Sequence, residues 1–165
     1  MATDQLFNAL NANFANASIS LANATATVTC GTALSNATVQ GKFITSALAA
    51  SATALAFVSP TDGTTSVSAT NLTTSQACII VHCVNAAGAR KELQGNIVPY
   101  DATSGTITGV MKFPDVPDTL TPIAYSTVKN GTNAAFTFGT TNWNATGVTA
   151  ATVNVSTLPR RPLTS

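Results

Sequence analysis

The chain has 165 residues, a hydrophobic share of 45% and a formal net charge of +1 at pH 7. This size fits one domain with a single core, and the hydrophobic share together with the low net charge argues against disorder outside the termini. Charged residues make up only 8% of the sequence, against about 25% in an ordinary domain. Lys and Arg residues are too few to form the basic patch that nucleic-acid binding needs. The low share of charged residues predicts a hydroxyl and amide surface with little self-repulsion, which is typical of a protein that packs against partners.

The first residues, 1–17, predict a short N-terminal helical arm. Thr3 or Asp4 can cap a helix, and the apolar residues that follow recur at four-residue spacing. They are Leu6, Phe7, Leu10 and Phe14. Because the polar face is Asn and Gln, the helix gains little from ion pairs and is marginal alone. We therefore expect these four residues to bind a partner surface. The segment has no basic region followed by an apolar run, so no signal peptide is predicted. The most apolar stretch, Phe43 to Val58, is too short for a helix that spans a bilayer, so membrane insertion is not expected.

A β-domain is predicted over residues 18–157. Thr and Val dominate the segments between turn residues, and both residue types favour strands. The predicted early strands are Ile19 to Leu21, Thr25 to Cys30, Thr38 to Gln40 and Gly41 to Thr45, while Ser46 to Leu55 stays ambiguous between helix and strand. Residues 158–165 predict an extended C-terminal tail. The fold class that this pattern indicates is mainly β, a β-sandwich or partly closed barrel with a helical arm.

The strongest predicted strand is Ala77 to Asn85, because its near-continuous apolar run is typical of a strand buried on both faces. A turn at Asn85 to Gly88 then leads to Ala89 to Gln94, which we interpret as an exposed hairpin partner. Further strands are predicted at Thr106 to Lys112, Ala134 to Phe138 and Val148 to Val155.

A proline-spaced stretch from Phe113 to Thr132 separates these strands. Pro114, Pro117 and Pro122 fix φ and prevent a helix, after which Pro122 to Val128 alternates like a strand. This stretch predicts a rigid connector that delivers a strand.

Candidate chemistry in the sequence centres on His82, the only histidine. A hydrolase or metal site would have to use it. On a strand, however, Cys78 and His82 face one way and Cys83 faces the other, so the cluster cannot present all its ligands together. We interpret His82 as a core residue with satisfied hydrogen bonds. Cys30, Cys78 and Cys83 are interpreted as buried free thiols of a protein folded in a reducing cytoplasm.

Three further groups of residues are weaker candidates for chemistry or binding. Asp115 and Asp118 could form an acid pair, but each adjoins a proline and is better explained as a turn residue. Four aromatic residues could stack on sugars, although the core needs most of them. They are Tyr125, Phe136, Phe138 and Trp143. Arg160 and Arg161 in the tail could contact an acidic partner.

Several short motifs, taken in their order along the chain, resemble those of a family of small β-rich structural proteins of tailed bacteriophages. They are Val39 to Phe43 with the Ala-rich segment up to Phe57, Cys83 to Gly88, Phe113 to Pro117, Thr121 to Tyr125, Asn130 to Thr132, Phe138 to Thr141 and Leu158 with Pro159. The similarity runs from Val39 to Pro162 and leaves the helical arm outside.

This resemblance implies a non-enzymatic virion protein of the head decoration or head fibre type. It implies no catalytic residue, metal or cofactor. The expected partners are the major capsid protein and further copies of the chain, for example in a trimer, at the capsid surface of a virion made in the bacterial cytoplasm. The alternative is a fibre or tail module that binds host-surface glycans through Trp143 and Tyr125.

Overall fold

The computed structural model of the protein describes residues 18–21, 24–31, 37–44 and 52–155. In these ranges the chain forms β-strands joined by turns and loops. The strands, in chain order, are β1 Ile19–Leu21, β2 Val28–Cys30, β3 Ala37–Val39, β4 Lys42–Ile44, β5 Ala52–Thr53, β6 Leu72–Thr73, β7 Gln76–Asn85, β8 Arg90–Gln94, β9 Val98–Asp101, β10 Thr106–Ile107, β11 Leu120–Asn130, β12 Ala135–Phe136 and β13 Val148–Asn154.

The main sheet has six strands and curls into a half-barrel. Its strand order is β10-β9-β7-β11-β13, and β8 pairs with the same edge of β7 as β9. The central strands β7 and β11 are the longest, and they are buried along nearly their whole length because other segments cover both faces. The β7–β11 register shifts between Pro122 and Ala124. Because a proline cannot donate to a ladder, an irregularity is the expected place for Pro122 in a central strand.

Within the described ranges, three smaller sheets accompany the main sheet. They are β1-β2-β5, β3-β4 and β12-β6, with antiparallel pairing throughout. The β3–β4 hairpin turns at Gln40 and Gly41, which have φ of 51° and 73°. Two consecutive positive φ angles are typical of the tight turns that join twisted hairpin strands.

The buried apolar residues that the structure describes form two clusters on opposite faces of the main sheet. Alternate residues of β7 divide between them, so Cys78, Ile80 and Val84 join one cluster, whereas Ile79, Val81 and Cys83 join the other. The first cluster includes residues of β1 to β4 and Trp143, and the second includes Met111, Leu120 and Tyr125. The main sheet is therefore covered on both sides.

The predicted mainly-β class is confirmed. The predicted helical arm and C-terminal tail lie outside the described residues, as does most of the ambiguous segment before Leu55. The strand predicted over Thr106 to Lys112 is wrong beyond Ile107, because the chain makes one more backbone bond, from Thr108 N to Pro99 O at 3.1 Å, and then runs to the next strand without regular pairing. Within the described ranges, no helix is long and apolar enough to cross a bilayer.

Candidate functional site

A row of polar side chains crosses the main sheet at His82. This residue lies in β7 and is fully buried. Its Nε2 is 2.8 Å from Ser126 Oγ in β11, and Ser126 Oγ is 2.8 Å from Thr152 Oγ1 in β13. Side chains therefore connect three neighbouring strands, in addition to the backbone ladders.

The other ring nitrogen of His82 faces a buried carboxylate. His82 Nδ1 is 3.4 Å from Glu92 Oε1, and the two residues are opposite each other in the β7–β8 register. Arg90 Nε donates to the same oxygen at 2.5 Å, and the backbone N–H of Ala56 donates to Glu92 Oε2 at 2.5 Å. Because an ionised carboxylate only accepts hydrogen bonds, the contact with Glu92 assigns a proton to His82 Nδ1.

These contacts keep Glu92 ionised. Burial raises the pKa of a carboxyl group because the charged form loses its hydration. Here the hydrogen bond from His82, the charge of Arg90 and the N–H of Ala56 outweigh burial and hold the pKa of Glu92 below its ordinary value of 4.5. The buried carboxylate is therefore charged and paired at neutral pH.

Arg90 connects this row to the small sheet β1-β2-β5. Its side chain is almost completely buried. Its terminal nitrogens donate to the carbonyl oxygens of Val28, Thr53 and Ala54 at 3.0, 3.2 and 2.8 Å. The guanidinium thus joins the main sheet to the layer above it through three carbonyl acceptors on two segments. We call the set Arg90, Glu92, His82, Ser126 and Thr152 the buried polar network.

In composition, the buried polar network contains the serine, histidine and carboxylate that a hydrolase requires. A nucleophile must also reach its substrate, and Ser126 is fully buried between its neighbours, with Thr152 against its hydroxyl. The arrangement can hold protons in fixed positions and join strands. The interpretation of His82 as a core residue with satisfied hydrogen bonds is confirmed.

The sequence assigns Glu92 to an exposed hairpin strand, so its place in the buried polar network is not predicted. That assignment is wrong, because Glu92 and Leu93 are both fully buried. The segment at Ala56 to Val58 covers the outer edge of β8, and Glu92 exchanges backbone hydrogen bonds of 3.0 Å with Ala56 and Val58. The turn at Asn85 to Gly88 was a usable signal, since a hairpin closed there places residue 92 opposite residue 82.

The three cysteines are buried free thiols, as predicted. Cys78 and Cys83 lie in the clusters on opposite faces of the sheet. Burial raises the pKa of Cys78 to about 12, and it also raises that of Cys83, with a further contribution from the charge of Glu92. Among the described residues, no group of three or more His, Cys, Asp or Glu side chains could hold a metal ion.

The predicted sugar-stacking pair of Trp143 and Tyr125 is not brought together. Trp143 is 3% exposed and Tyr125 is 1% exposed, and they belong to the clusters on opposite faces of the sheet. Trp143 packs against Phe136, with ring centroids 5.4 Å apart, and donates from Nε1 to the carbonyl of Thr27 at 2.7 Å. Tyr125 packs edge-on against Phe113 at 5.1 Å. Both rings are therefore packed inside the core, where a sugar cannot stack on them.

A surface groove of about 340 Å³ opens beside the first cluster. Its lining combines Leu55, Phe57, Val67 and Phe138 with Ser68, Asn71, Thr137 and Gly139. Phe138 contacts Phe57 edge-on at 5.5 Å and is half-buried. The groove therefore offers one partly accessible aromatic ring next to hydroxyl and amide groups.

The residues predicted to bind partners lie outside the described ranges, namely Leu6, Phe7, Leu10, Phe14, Arg160 and Arg161. Asp115 and Asp118 are exposed in the connector before β11. A turn closes there, with the backbone N–H of Leu120 donating to the carbonyl of Pro117 at 3.0 Å.

Comparison with known proteins gives no relative: no protein-family model, curated protein or solved structure matches the chain.

Proposed function

We propose that the chain is a non-enzymatic structural protein of a tailed-phage virion, most specifically a capsid decoration or cement protein that binds the major capsid shell. The observation that best supports this function is the buried polar network, in which the only histidine and its carboxylate join strands inside the core. A chain that uses these groups for cohesion is suited to a role in which it must stay folded under load.

The motifs that carry the family resemblance agree with a scaffold role. Val39 to Phe43 forms the β3–β4 hairpin, Cys83 to Gly88 forms the end of β7 and its turn, and Thr121 to Tyr125 lies in β11. Turns and central strands define a fold, so these motifs support the class of protein and leave the binding surface to other residues.

The proposed mechanism is many weak contacts repeated by the symmetry of the shell. The helical arm and the basic tail are the proposed contact segments, through Leu6, Phe7, Leu10 and Phe14 and through Arg160 and Arg161. In the described ranges, the exposed Phe43 and Val110 add apolar contact area, with 51% and 74% of their surface accessible. In this proposal the protein folds in the bacterial cytoplasm, and it assembles with itself and with the capsid protein at the virion surface.

The direct test is mass spectrometry of purified virions, in which we expect the chain at a fixed copy number relative to the capsid protein. Rebinding to shells stripped of the chain tests the tail. Replacing Arg160 and Arg161 by alanine should weaken rebinding about fivefold to tenfold, because two rim charges are lost. The matched control is Lys112→Ala, which removes an exposed charge elsewhere. Virions that lack the chain would refute the proposal.

A second candidate function, glycan binding by a fibre or tail module, is supported by the groove at Phe138 rather than by Trp143 and Tyr125. Aromatic rings next to amide and hydroxyl groups are typical of sugar sites. Glycan-array binding that Phe138→Ala abolishes and Val110→Ala preserves would favour this function. An array without binding would dismiss it.

A further inference from the structure

Among the described strands, β13 forms one edge of the main sheet. In the strand order it comes last, and β11 is its one ladder partner among the described strands. At its far end, Asn154 exchanges side-chain hydrogen bonds with the backbone of Ile19, at 2.7 and 3.1 Å. Strand β1 thus lies against the C-terminal end of β13, and among the described residues no strand other than β11 pairs with the edge from Val148 to Val153.

The ladder register shows which backbone groups point outward from this edge. Val155 N donates to Ile123 O at 3.0 Å, and Gly131 N donates to Gly147 O at 2.7 Å. Antiparallel pairs alternate between bonded and non-bonded positions, so the odd-numbered residues of β13 bond to β11. The N–H and C=O groups of Ala150 and Thr152 therefore point away from the sheet.

This edge lacks the features that protect natural sheet edges. Proteins shield edges with short strands, charges, prolines or covering segments. Strand β10, at the opposite end of the sheet, has only two residues, and the segment at Ala56 to Val58 covers β8. Strand β13 has seven residues, with the sequence VTAATVN. It contains neither charge nor proline, so its composition favours pairing with another strand.

We infer that the occupant of this edge is β13 of a second copy of the chain, paired antiparallel across a two-fold axis at Ala150. In this register the two Ala150 residues bond to each other, and Val148 of each copy faces Thr152 of the other. An uncharged edge meets its own copy without like-charge repulsion, which opposes pairing of charged strands. The chain's own C-terminal segment is a poor occupant, because Pro159 and Pro162 cannot donate to a ladder. This inference stands on the edge geometry and does not rest on the proposed function.

The test measures the mass of the full chain in solution by light scattering at concentrations up to about 100 µM, a range suited to a small interface. We expect a concentration-dependent dimer of twice the 16.7 kDa chain mass. The variant Ala150→Pro removes the outward N–H and leaves the bonds to β11 intact, so it should weaken dimerisation about tenfold or more. The control Ala150→Ser keeps the N–H and should dimerise like the wild type. A monomeric wild type, a trimer, or a folded Ala150→Pro variant that dimerises normally would overturn the inference.

Amide hydrogen exchange of the wild-type chain gives a second readout that does not depend on the folding of a variant. The amides of Ala150 and Thr152 should exchange slowly at high concentration and at least tenfold faster on dilution. Those of Ala151 and Val153 should stay protected at both concentrations, because they bond to β11. Fast exchange of Ala150 and Thr152 at every concentration would overturn the inference. So would protection that arises only when capsid protein is added, since it would assign the edge to a different partner.

Discussion

At the scale of single residues, the stability of the fold depends on a buried charge pair. Arg90 and Glu92 lie two residues apart on β8, on the same face, and the sheet layers enclose both. Replacing a buried ion pair by apolar residues can be neutral, but removing one partner leaves a buried charge unpaired. Removing either Arg90 or Glu92 alone should therefore destabilise the fold more than replacing both.

We predict that Glu92→Gln lowers the free energy of unfolding by about 3 kcal/mol, because Arg90 and His82 lose their charged acceptor. Urea denaturation at pH 7 measures this loss. The control Asp118→Asn removes an exposed carboxylate and should change stability by less than about 0.5 kcal/mol. Equal stability of Glu92→Gln and wild type would contradict the proposed role of the network.

The same residue predicts a pH dependence. The folded-state pKa of Glu92 lies below the ordinary value of 4.5 that the unfolded chain retains. Its contribution is therefore fully present above about pH 4.5 and is lost as the pH falls through the folded-state pKa. Thermal midpoints of the wild type should fall in that acid range, and those of Glu92→Gln should fall less. Asp62 and Asp101, whose pKa values are also lowered by hydrogen bonds, supply an acid response that both proteins share.

At the scale of secondary-structure elements, the turn between β12 and β13 sets the register of the sheet's last strand. Gly147 has φ of 81°, and its carbonyl accepts the hydrogen bond of Gly131. An added Cβ would collide with Thr132 Oγ1 and lie 2.9 Å from the backbone N of Asn133. This position requires glycine both for its conformation and for its space.

Gly147→Ala should destabilise the protein by about 3 kcal/mol, through backbone strain and the collision together. Gly139→Ala is a matched control. Gly139 has a similar φ of 78°, but an added Cβ there has no atom within 4 Å, so the expected loss is about 1 kcal/mol from strain alone. Chemical denaturation of both variants gives the comparison, and a loss for Gly139→Ala as large as that for Gly147→Ala would contradict the steric argument.

The sequence predicted elements well where the signal was local. The apolar run at Ala77 to Asn85 matches β7, the turn after it matches the observed hairpin, and the Thr/Val segment at Val148 matches β13. Burial of β8 could not be predicted, because its cover comes from residues more than 30 positions away in the sequence. The candidate site was predicted in part. The core position of His82 followed from strand alternation, whereas Ser126 contacts His82 only because of the long-range β7–β11 pairing.

At the scale of the whole molecule, the described ranges form a β-structure whose first strand is held from both sides. Gly31 N donates to Ser18 O at 3.1 Å, and Asn154 holds the backbone of Ile19. These contacts secure the start of β1 independently of the preceding arm.

Deleting residues Met1 to Ala15 should therefore leave the β-domain folded, with a cooperative thermal transition close to that of the full chain, while binding to capsid shells or self-association weakens. Calorimetry combined with a shell-rebinding assay measures both effects. Loss of the cooperative transition in the truncated protein would show that the arm is part of the core.

The contacts of Arg90 have a mechanical consequence. A force that shears the β1-β2-β5 layer from the main sheet stretches the guanidinium bonds to Val28, Thr53 and Ala54 together. Because the guanidinium is planar and rigid, these bonds share the load and must break almost at once, whereas the flexible ammonium of a lysine would let them yield one after another. Under sustained tension the joint between the two layers would therefore resist up to a threshold and then fail abruptly.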